Sequence, residues 1–241
     1  MQIYGMSDKG LVRESNEDAY IFKVISPSVF FAVVCDGMGG ANAGNVASEY
    51  AVREISEYIL RSYKPTMSGM QIEHLLRAAV ASANDVIYEA ANVNADLNGM
   101  GTTVVLLFVL EKTGYLLHVG DSRAYLYSSG ALNQLTVDHS IVQGMIDRGE
   151  ITEEEAKTHP SKNIITRALG VGSEVRSDLD FIDLNDGDVI LLCSDGLSNY
   201  VSDVDIKNSL EAFDENVASS LINLANTGGG GDNITAVVVK I

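Results

Sequence analysis

The chain has 241 residues, 46% of them hydrophobic and 20% charged, the balance of an ordinary soluble globular protein and enough for one large β-rich domain. Its formal net charge of −17 argues against nucleic acid as a partner class, because phosphate backbones are held through an excess of Lys and Arg. The longest apolar run, VVLLFVL at 104–110, is too short to cross a bilayer, and the start MQIYGMSDKG has no basic segment followed by an apolar one, so the expectation is a cytoplasmic chain with no membrane partner.

In chain order, 19–24 and 29–35 are apolar runs rich in Val, Ile, Phe and Tyr and read as strands. Two helices follow. Val46, Tyr50, Ala51, Ile55, Tyr58 and Ile59 recur at helical spacing in 44–61, and Ile72, Leu75, Leu76, Ala79, Ala83, Val86, Ile87 and Ala90 do so in 70–92. Strands are expected at 102–110, 115–119 and 124–128, with a hairpin loop EKTG between the first two and a tight turn SSG after the third. The pattern then changes. The stretch 141–148 reads as a helix stopped at Gly149, and TEEE at 152–155 has the spacing of a capping box for another short helix before Pro160. This two-helix insertion, at about 140–166, is either a surface excursion or a lid. Strands at 178–183 and 188–193, a late helix marked by Val217, Leu221, Leu224 and Ala225, and a strand at 234–240 complete the chain. Strands that mostly neighbour one another in sequence, with helices in an early pair and a later region, suit antiparallel sheets with helices packed outside rather than a parallel βαβ fold. With three prolines and no linker-like segment, one domain over 1–241 is expected. Cys35 and Cys193 lie in apolar runs without a CxxC pair, and read as buried free thiols.

Acids punctuate the strands. FFAVVCDGMGG ends a core run in Asp36, DVILLCSDGLS repeats that pattern with Asp195, and GYLLHVGDSR runs into Asp121, while Asp18 and Asp232 stand where strands begin. In an antiparallel sheet the end of one strand lies beside the start of its neighbour, so these five carboxylates can share one rim. Gathered there, each resists ionising unless a cation compensates. An oxygen-rich set with almost no His or Cys suits Mg²⁺ or Mn²⁺ rather than Zn²⁺. Arg13, five residues before Asp18, is a natural fork for two oxygens of a phosphate beside such a cluster.

RESNED (13–18), DGMGG (36–40), GDSR (120–123), LTVDHS (135–140), ITRALG (165–170), CSDGL (193–197) and GDNIT (231–235) occur in that order. On these motifs, which cover essentially the whole chain, the sequence resembles the metal-dependent protein Ser/Thr phosphatases of the 2C type in their compact bacterial form. The resemblance implies an α+β fold, a four-layer α-β-β-α sandwich of two antiparallel sheets flanked by helix pairs, with two Mn²⁺ or Mg²⁺ ions at one rim and a third beside them. By match to the motifs, Asp36 bridges two metals, the Gly37 carbonyl joins one of them, Asp195 and Asp232 bind the other, and Glu17 and Asp18 act largely through metal-bound waters. Asp121 matches the ligand of the third metal, Arg13 the phosphate-binding arginine, and 140–166 the mobile flap. The implied activity is hydrolysis of phosphoserine and phosphothreonine by a metal-activated water, in a monomer whose partners are phosphorylated proteins, including a Ser/Thr kinase that it opposes. One departure stands out. Many eukaryotic members have His where Met38 stands, and Met cannot donate a proton; leaving-group protonation then falls to a metal-bound water or another group, of which His139 is the nearest by motif.

Other chemistries fail on spacing. A cysteine phosphatase needs Arg six residues after its Cys, but Cys35 leads to Ala41 and Cys193 to Asn199. DLDFI at 178–182 misses the last position of an aspartyl-phosphate motif, and DLNDGDVILLCS has Asp188 and Ser194 where a Ca²⁺ loop needs Gly and Glu. The non-enzyme alternative is a pseudophosphatase that binds phosphoproteins on the same fold. The retained acids argue against it.

Overall fold

In the computed structural model, residues 1–39 and 43–241 are described; Gly40, the last residue of DGMGG, lies outside the described residues. The strands among the described residues are β1 (Gln2–Asp8), β2 (Asp18–Ser26), β3 (Val29–Met38), β4 (Gly101–Thr102), β5 (Val104–Leu110), β6 (Thr113–Val119), β7 (Arg123–Ser128), β8 (Ala131–Gln134), β9 (Asp178–Asp183), β10 (Val189–Cys193) and β11 (Ile234–Lys240). The helices are α1 (Ala43–Ser62), α2 (Gly69–Val93), α3 (Ile141–Asp147), α4 (Glu153–Lys157), α5 (Asp195–Ser198), α6 (Asp203–Glu211) and α7 (Val217–Thr227). Every pairing is antiparallel. One sheet has the order β1-β11-β10-β7-β8, the other β2-β3-β5-β6-β9 with β4 added beside β3.

Alternation along the strands sorts the core into layers. In β3, Val29, Phe31, Val33 and Cys35 pack with Ala47, Ala51, Ile55 and Leu76 of α1 and α2, whereas Phe30, Ala32 and Val34 pack with Ile190, Leu192, Val237 and Val239 of the opposite sheet. On that sheet, Leu191, Cys193, Ala236 and Val238 face Leu197, Ile206, Leu221 and Ile222 of α5, α6 and α7. The result is the expected α-β-β-α sandwich. A strand that is apolar on both faces reads as a continuous hydrophobic run, which is why β3, β5, β10 and β11 were legible as such. No helix among the described residues is long and apolar enough to cross a membrane.

The insertion between 140 and 166 is closed at its neck. Ser140 and Ile165 form an antiparallel bridge, Ile141 N donates to Ile164 O at 2.9 Å, and Thr166 N donates to His139 O at 2.7 Å. Ser140 caps α3 by accepting from Gln143 N, and Thr152 and Glu155 form the capping box of α4 that the TEEE spacing predicts. The strand expected at 102–110 is instead broken at Thr103. Its N–H donates to Asp36 O at 2.9 Å, which ties it to β3 outside the β5 ladder.

Candidate metal centre

Strand parity sets the carboxylates at one end of the sandwich. Asp18 opens β2 and stands directly opposite Asp36 of β3. Asp36 continues the Phe30–Ala32–Val34 row, the row that faces the gap between the sheets. From the opposite sheet, Ser194 Oγ and Thr235 Oγ1 donate to Asp18 Oδ2 at 2.6 and 2.7 Å. Asp18 Oδ1 is buried and receives no hydrogen bond. Asp36 lies two residues inside β3 rather than at its end, because β4 extends the pairing to Gly37 and Met38. Its main chain is pinned by a threonine pair: Asp36 N donates to Thr103 Oγ1, and Thr102 Oγ1 to Asp36 O, each at 2.9 Å.

Asp195 does not end a strand, as the apolar run suggested; it is the first residue of α5, one residue beyond Ser194 and β10. Its Oδ2 accepts from Asn199 Nδ2 at 2.9 Å. Asp232 precedes β11; its Oδ1 accepts from Asn233 N at 2.9 Å and its Oδ2 from Arg13 Nη2 at 2.8 Å. Asp121 occupies the turn between β6 and β7. Glu17 sits beside Asp18, its N–H donating to Asn233 Oδ1 at 2.8 Å. Gly37 permits a close crossing, since a Cβ there would run into the carbonyl oxygens of Glu17 and Gly44.

Electrostatics mark the cluster as unbalanced. Burial, then the neighbouring charges of Asp195 and Asp232, push Asp18 up to about 7 even though Ser194 and Thr235 favour its ionised form. Burial and repulsion from Asp18, Asp195, Asp121 and Asp232 push Asp36 well above the carboxylate range. Burial and Asp195 push Asp121 up to about 8, and burial and Asp232 raise Asp195. Arg13 is opposed by partial burial but raised overall by Asp232, Glu17 and Asp36. Buried carboxyls that cannot all ionise, an orphan carboxylate oxygen and a donor set made of oxygen are what a hard divalent cation satisfies. The residues present fit such a group.

A second cluster brings His118, His139 and Asp178 donor atoms within 4.8 Å of one another. Its geometry is that of a hydrogen-bond network. Gly120 N donates to His139 Nδ1 at 3.1 Å, which places the ring proton on Nε2 and makes the 3.0 Å contact with Asp178 Oδ2 a donation. Asp178 Oδ1 accepts from Arg167 Nη1 at 2.9 Å. His139 is therefore a correction to the sequence reading: it is buried with both ring nitrogens engaged, and burial lowers its proton affinity, so it offers a leaving group no free proton.

Sequence reasoning also passed over Asn233, Ser194, Thr235, Thr102 and Thr103, which orient the acids. Asn233 is the most connected. Besides Glu17 N, it holds Lys9 O and Ser15 O through Nδ2 at 2.9 and 2.8 Å and so fixes the loop that carries Arg13. The first three stand inside the GDNIT and CSDGL motifs, but nothing in spacing assigns them partners.

Beside the acids lies a cavity of about 820 Å³, running from Asp121, Arg123 and Asp195 to Val142, Gln143 and Ile146 of α3 and to Lys162. Arg123 spans its wall by a bidentate pair to Asp138, at 2.9 Å through Nε and 2.7 Å through Nη2.

Residues 12–230 match the family model described as protein phosphatase 2C. The serine/threonine phosphatase stp of Listeria welshimeri is 41% identical over 97% of this chain and 93% of that protein. Among solved structures, the Mycobacterium tuberculosis serine/threonine phosphatase PstP superposes with a TM-score of 0.90 at 38% identity, covering 100% of this chain and 98% of that one. The Streptococcus agalactiae serine/threonine phosphatase gives 0.92 at 35% identity, covering 100% and 99%. A structure of the PstP catalytic domain in complex with two manganese ions gives 0.86 at 38% identity, covering 99% and 97%.

Proposed function

The chain belongs to the protein phosphatase 2C family, and from that premise we propose that its carboxylate rim is the divalent-metal centre of a protein serine/threonine phosphatase acting on phosphorylated proteins, a Ser/Thr kinase of the same cell among them. The observation that carries the reading is the opposed pair Asp18 and Asp36, with the buried, unpartnered Asp18 Oδ1 between two sheets that both contribute acids. Asp36, Asp195, Asp232 and the Gly37 carbonyl would hold the main pair of Mn²⁺ or Mg²⁺ ions and Asp121 a third, with Glu17 and Asp18 acting through metal-bound water. When bound, the cations supply a water acidic enough to attack phosphorus in line and neutralise charge on the phosphoryl group.

The protein's own residues do the rest. Arg13 reaches the rim from an exposed loop, and its guanidinium, resting on Asp232, presents planar N–H donors for two phosphoryl oxygens. Thr102 and Thr103 hold the Asp36 backbone, and Ser194 and Thr235 hold one Asp18 oxygen, so the acids keep their positions while charge develops nearby. Met38 gives the leaving oxygen no proton, and His139 has none to spare. The cavity bounded by α3 receives the polypeptide around the phosphorylated residue.

The test is hydrolysis of a phosphothreonine peptide with Mn²⁺, with excess chelator, and with Mn²⁺ restored. Turnover that disappears on chelation and returns with Mn²⁺ supports the reading. Full activity in chelator, or none with Mn²⁺, overturns it; the second outcome leaves a phosphoprotein-binding module on the same fold.

A further inference from the structure

We propose that His139 is a positioning residue that clamps the Gly120–Asp121 turn to both ends of the 140–166 flap, so that the Asp121 carboxylate and the peptide-facing flap are set by one side chain. This rests on the reading of Asp121 as a cation ligand.

The geometry is specific to this residue. His139 grips Gly120 from both sides: its backbone N–H donates to Gly120 O at 2.9 Å, and its Nδ1 accepts from Gly120 N at 3.1 Å. Gly120 has φ +104°, and a Cβ on it would meet the Thr103 side chain at 2.6 Å, so the turn requires glycine. That freedom leaves the turn to be fixed from outside. Thr103, the residue it crowds, is the one that accepts from Asp36 N, so the turn also packs against the support of the main acid cluster. On its other side, His139 immediately precedes Ser140, where the flap begins, and its carbonyl accepts from Thr166 N at 2.7 Å, where the flap ends. Its Nε2 donates to Asp178 Oδ2 at 3.0 Å, and Arg167, the next residue after the flap neck, brings Nη1 within 3.0 Å of that same nitrogen while donating to Asp178 Oδ1 at 2.9 Å. The ring is itself stacked on His118, with centroids 4.6 Å apart and planes at 17°. A displacement of the flap neck therefore bears on Gly120 through a single residue, His139, by its backbone and its imidazole, and Asp121 follows Gly120.

The two nitrogens have separable duties, and two amides mimic them one at a time. In His139→Asn the amide oxygen stands near Nδ1 and keeps an acceptor for Gly120 N–H. In His139→Gln the amide nitrogen stands near Nε2 and keeps a donor for Asp178, but the acceptor for Gly120 is lost. Mn²⁺ binding to the full chain, followed by the electron paramagnetic resonance of free Mn²⁺, reads the cations without turnover. Outer partners of metal ligands are worth about ten- to a hundredfold in affinity or activity. His139→Gln should weaken the weakest Mn²⁺ step by that factor and leave the tighter steps unchanged, while His139→Asn restores the weak step. Equal shifts in the two variants, no shift in either, or a loss spread over every step would each overturn the clamp. Asp178→Asn keeps the Gly120 contact and loosens the Nε2 side of the clamp, where His139, Asp178 and Arg167 meet. It should raise KM for a phosphothreonine peptide without moving the weak Mn²⁺ step, and an unmoved KM or a moved Mn²⁺ step overturns the coupling even where a His139 variant does not fold. Absence of Mn²⁺-dependent turnover in the unaltered chain would overturn the proposed function itself, and with it this role; an active unaltered chain with indistinguishable Asn and Gln variants overturns this role alone.

Discussion

Asp18 and Asp36 are cross-strand partners, two carboxyls directly opposed in the β2–β3 ladder with one buried oxygen left unbonded. Like charges so placed destabilise a sheet, and burial raises the cost. The arrangement makes sense as a site whose stability and chemistry are both completed by cations.

The first prediction concerns pH. Asp18 is held up to about 7 and Asp121 to about 8, by burial first and neighbouring acids second, and Asp36 and Asp195 are raised for the same reasons. A group raised in the folded state keeps its proton there after the unfolded chain has lost it. Its contribution to stability is complete below the unfolded value, about 3.9 for Asp, and is lost as pH climbs through the folded value. His139, lowered by burial, works in the opposite sense as a single group. In chelator, Tm should fall as pH rises from about 5 to about 8, each kcal/mol lost showing as about 2–4 °C in a chain of this size. Mn²⁺ at the upper pH should restore it. A chelated protein whose Tm is flat or rises across that window would show that the acids do not repel.

Neutralising a ligand should separate stability from activity. Asp36→Asn removes one charge from the most strongly perturbed position and keeps the side-chain shape. Without cations and at pH 8, it should melt above the unaltered chain; with Mn²⁺, its kcat should fall by orders of magnitude, since a charged ligand of the pair is gone. A variant that retained kcat would remove Asp36 from the centre.

How much of this could be read beforehand differs by residue. The acids were visible because each interrupts or adjoins an apolar run, and the two-sided burial of β3, β5, β10 and β11 made those runs long. β1 was not visible: Gln2–Asp8 is an edge strand, only half-buried, and Gly5 and Ser7 interrupt its pattern. β8 is short and mostly exposed, and α6 buries only Ile206 and Leu210 of its nine residues, so neither leaves a periodic trace. The helical setting of Asp195 was hidden for a different reason, because a four-residue helix after a strand has too few positions to show a period. The supporting shell of Ser194, Thr235, Thr103 and Asn233 depends on contacts between segments as much as 228 residues apart, which no local pattern encodes.

Arg13→Ala should weaken phosphate positioning and spare the cations. The Arg13–Asp232 pair is half-exposed at the Arg, so its own worth to stability is small. Loss of a charge-assisted contact to phosphate corresponds to roughly 1.5–3 kcal/mol, or about ten- to a hundredfold in kcat/KM. Mn²⁺ affinity should hold or rise slightly, because Asp232 is freed of a competitor. Collapse of Mn²⁺ binding with an unaltered KM would make Arg13 a structural residue instead.

Asn233→Asp tests the loop behind Arg13. The replacement keeps an acceptor for Glu17 N but has no donors for Lys9 O and Ser15 O, and it adds a charge beside Asp232. Loss of these donations, each worth about 0.5–1.5 kcal/mol net, loosens the loop. The variant should melt lower and show a raised KM resembling that of Arg13→Ala, readable by calorimetry and steady-state kinetics on one preparation. A normal KM at reduced Tm would confine Asn233 to stability.

The last prediction separates recognition from chemistry at the flap. Met145 is not part of the cavity wall, whereas Gln143 and Ile146 are, one turn apart in α3 and across from Asp195, Asn199 and Tyr200. A phosphopeptide must pass between these walls to reach the acids; a small aryl phosphate needs only the cations and Arg13. Ile146→Ala should therefore raise KM for a phosphothreonine peptide several-fold while changing aryl phosphate hydrolysis less, and Met145→Ala should do neither. The paired assay on both substrates decides it. Equal losses on the two substrates in Ile146→Ala would mean that the flap supports the metal rim rather than the peptide, and a peptide-selective loss in Met145→Ala would place the polypeptide on the opposite face of α3.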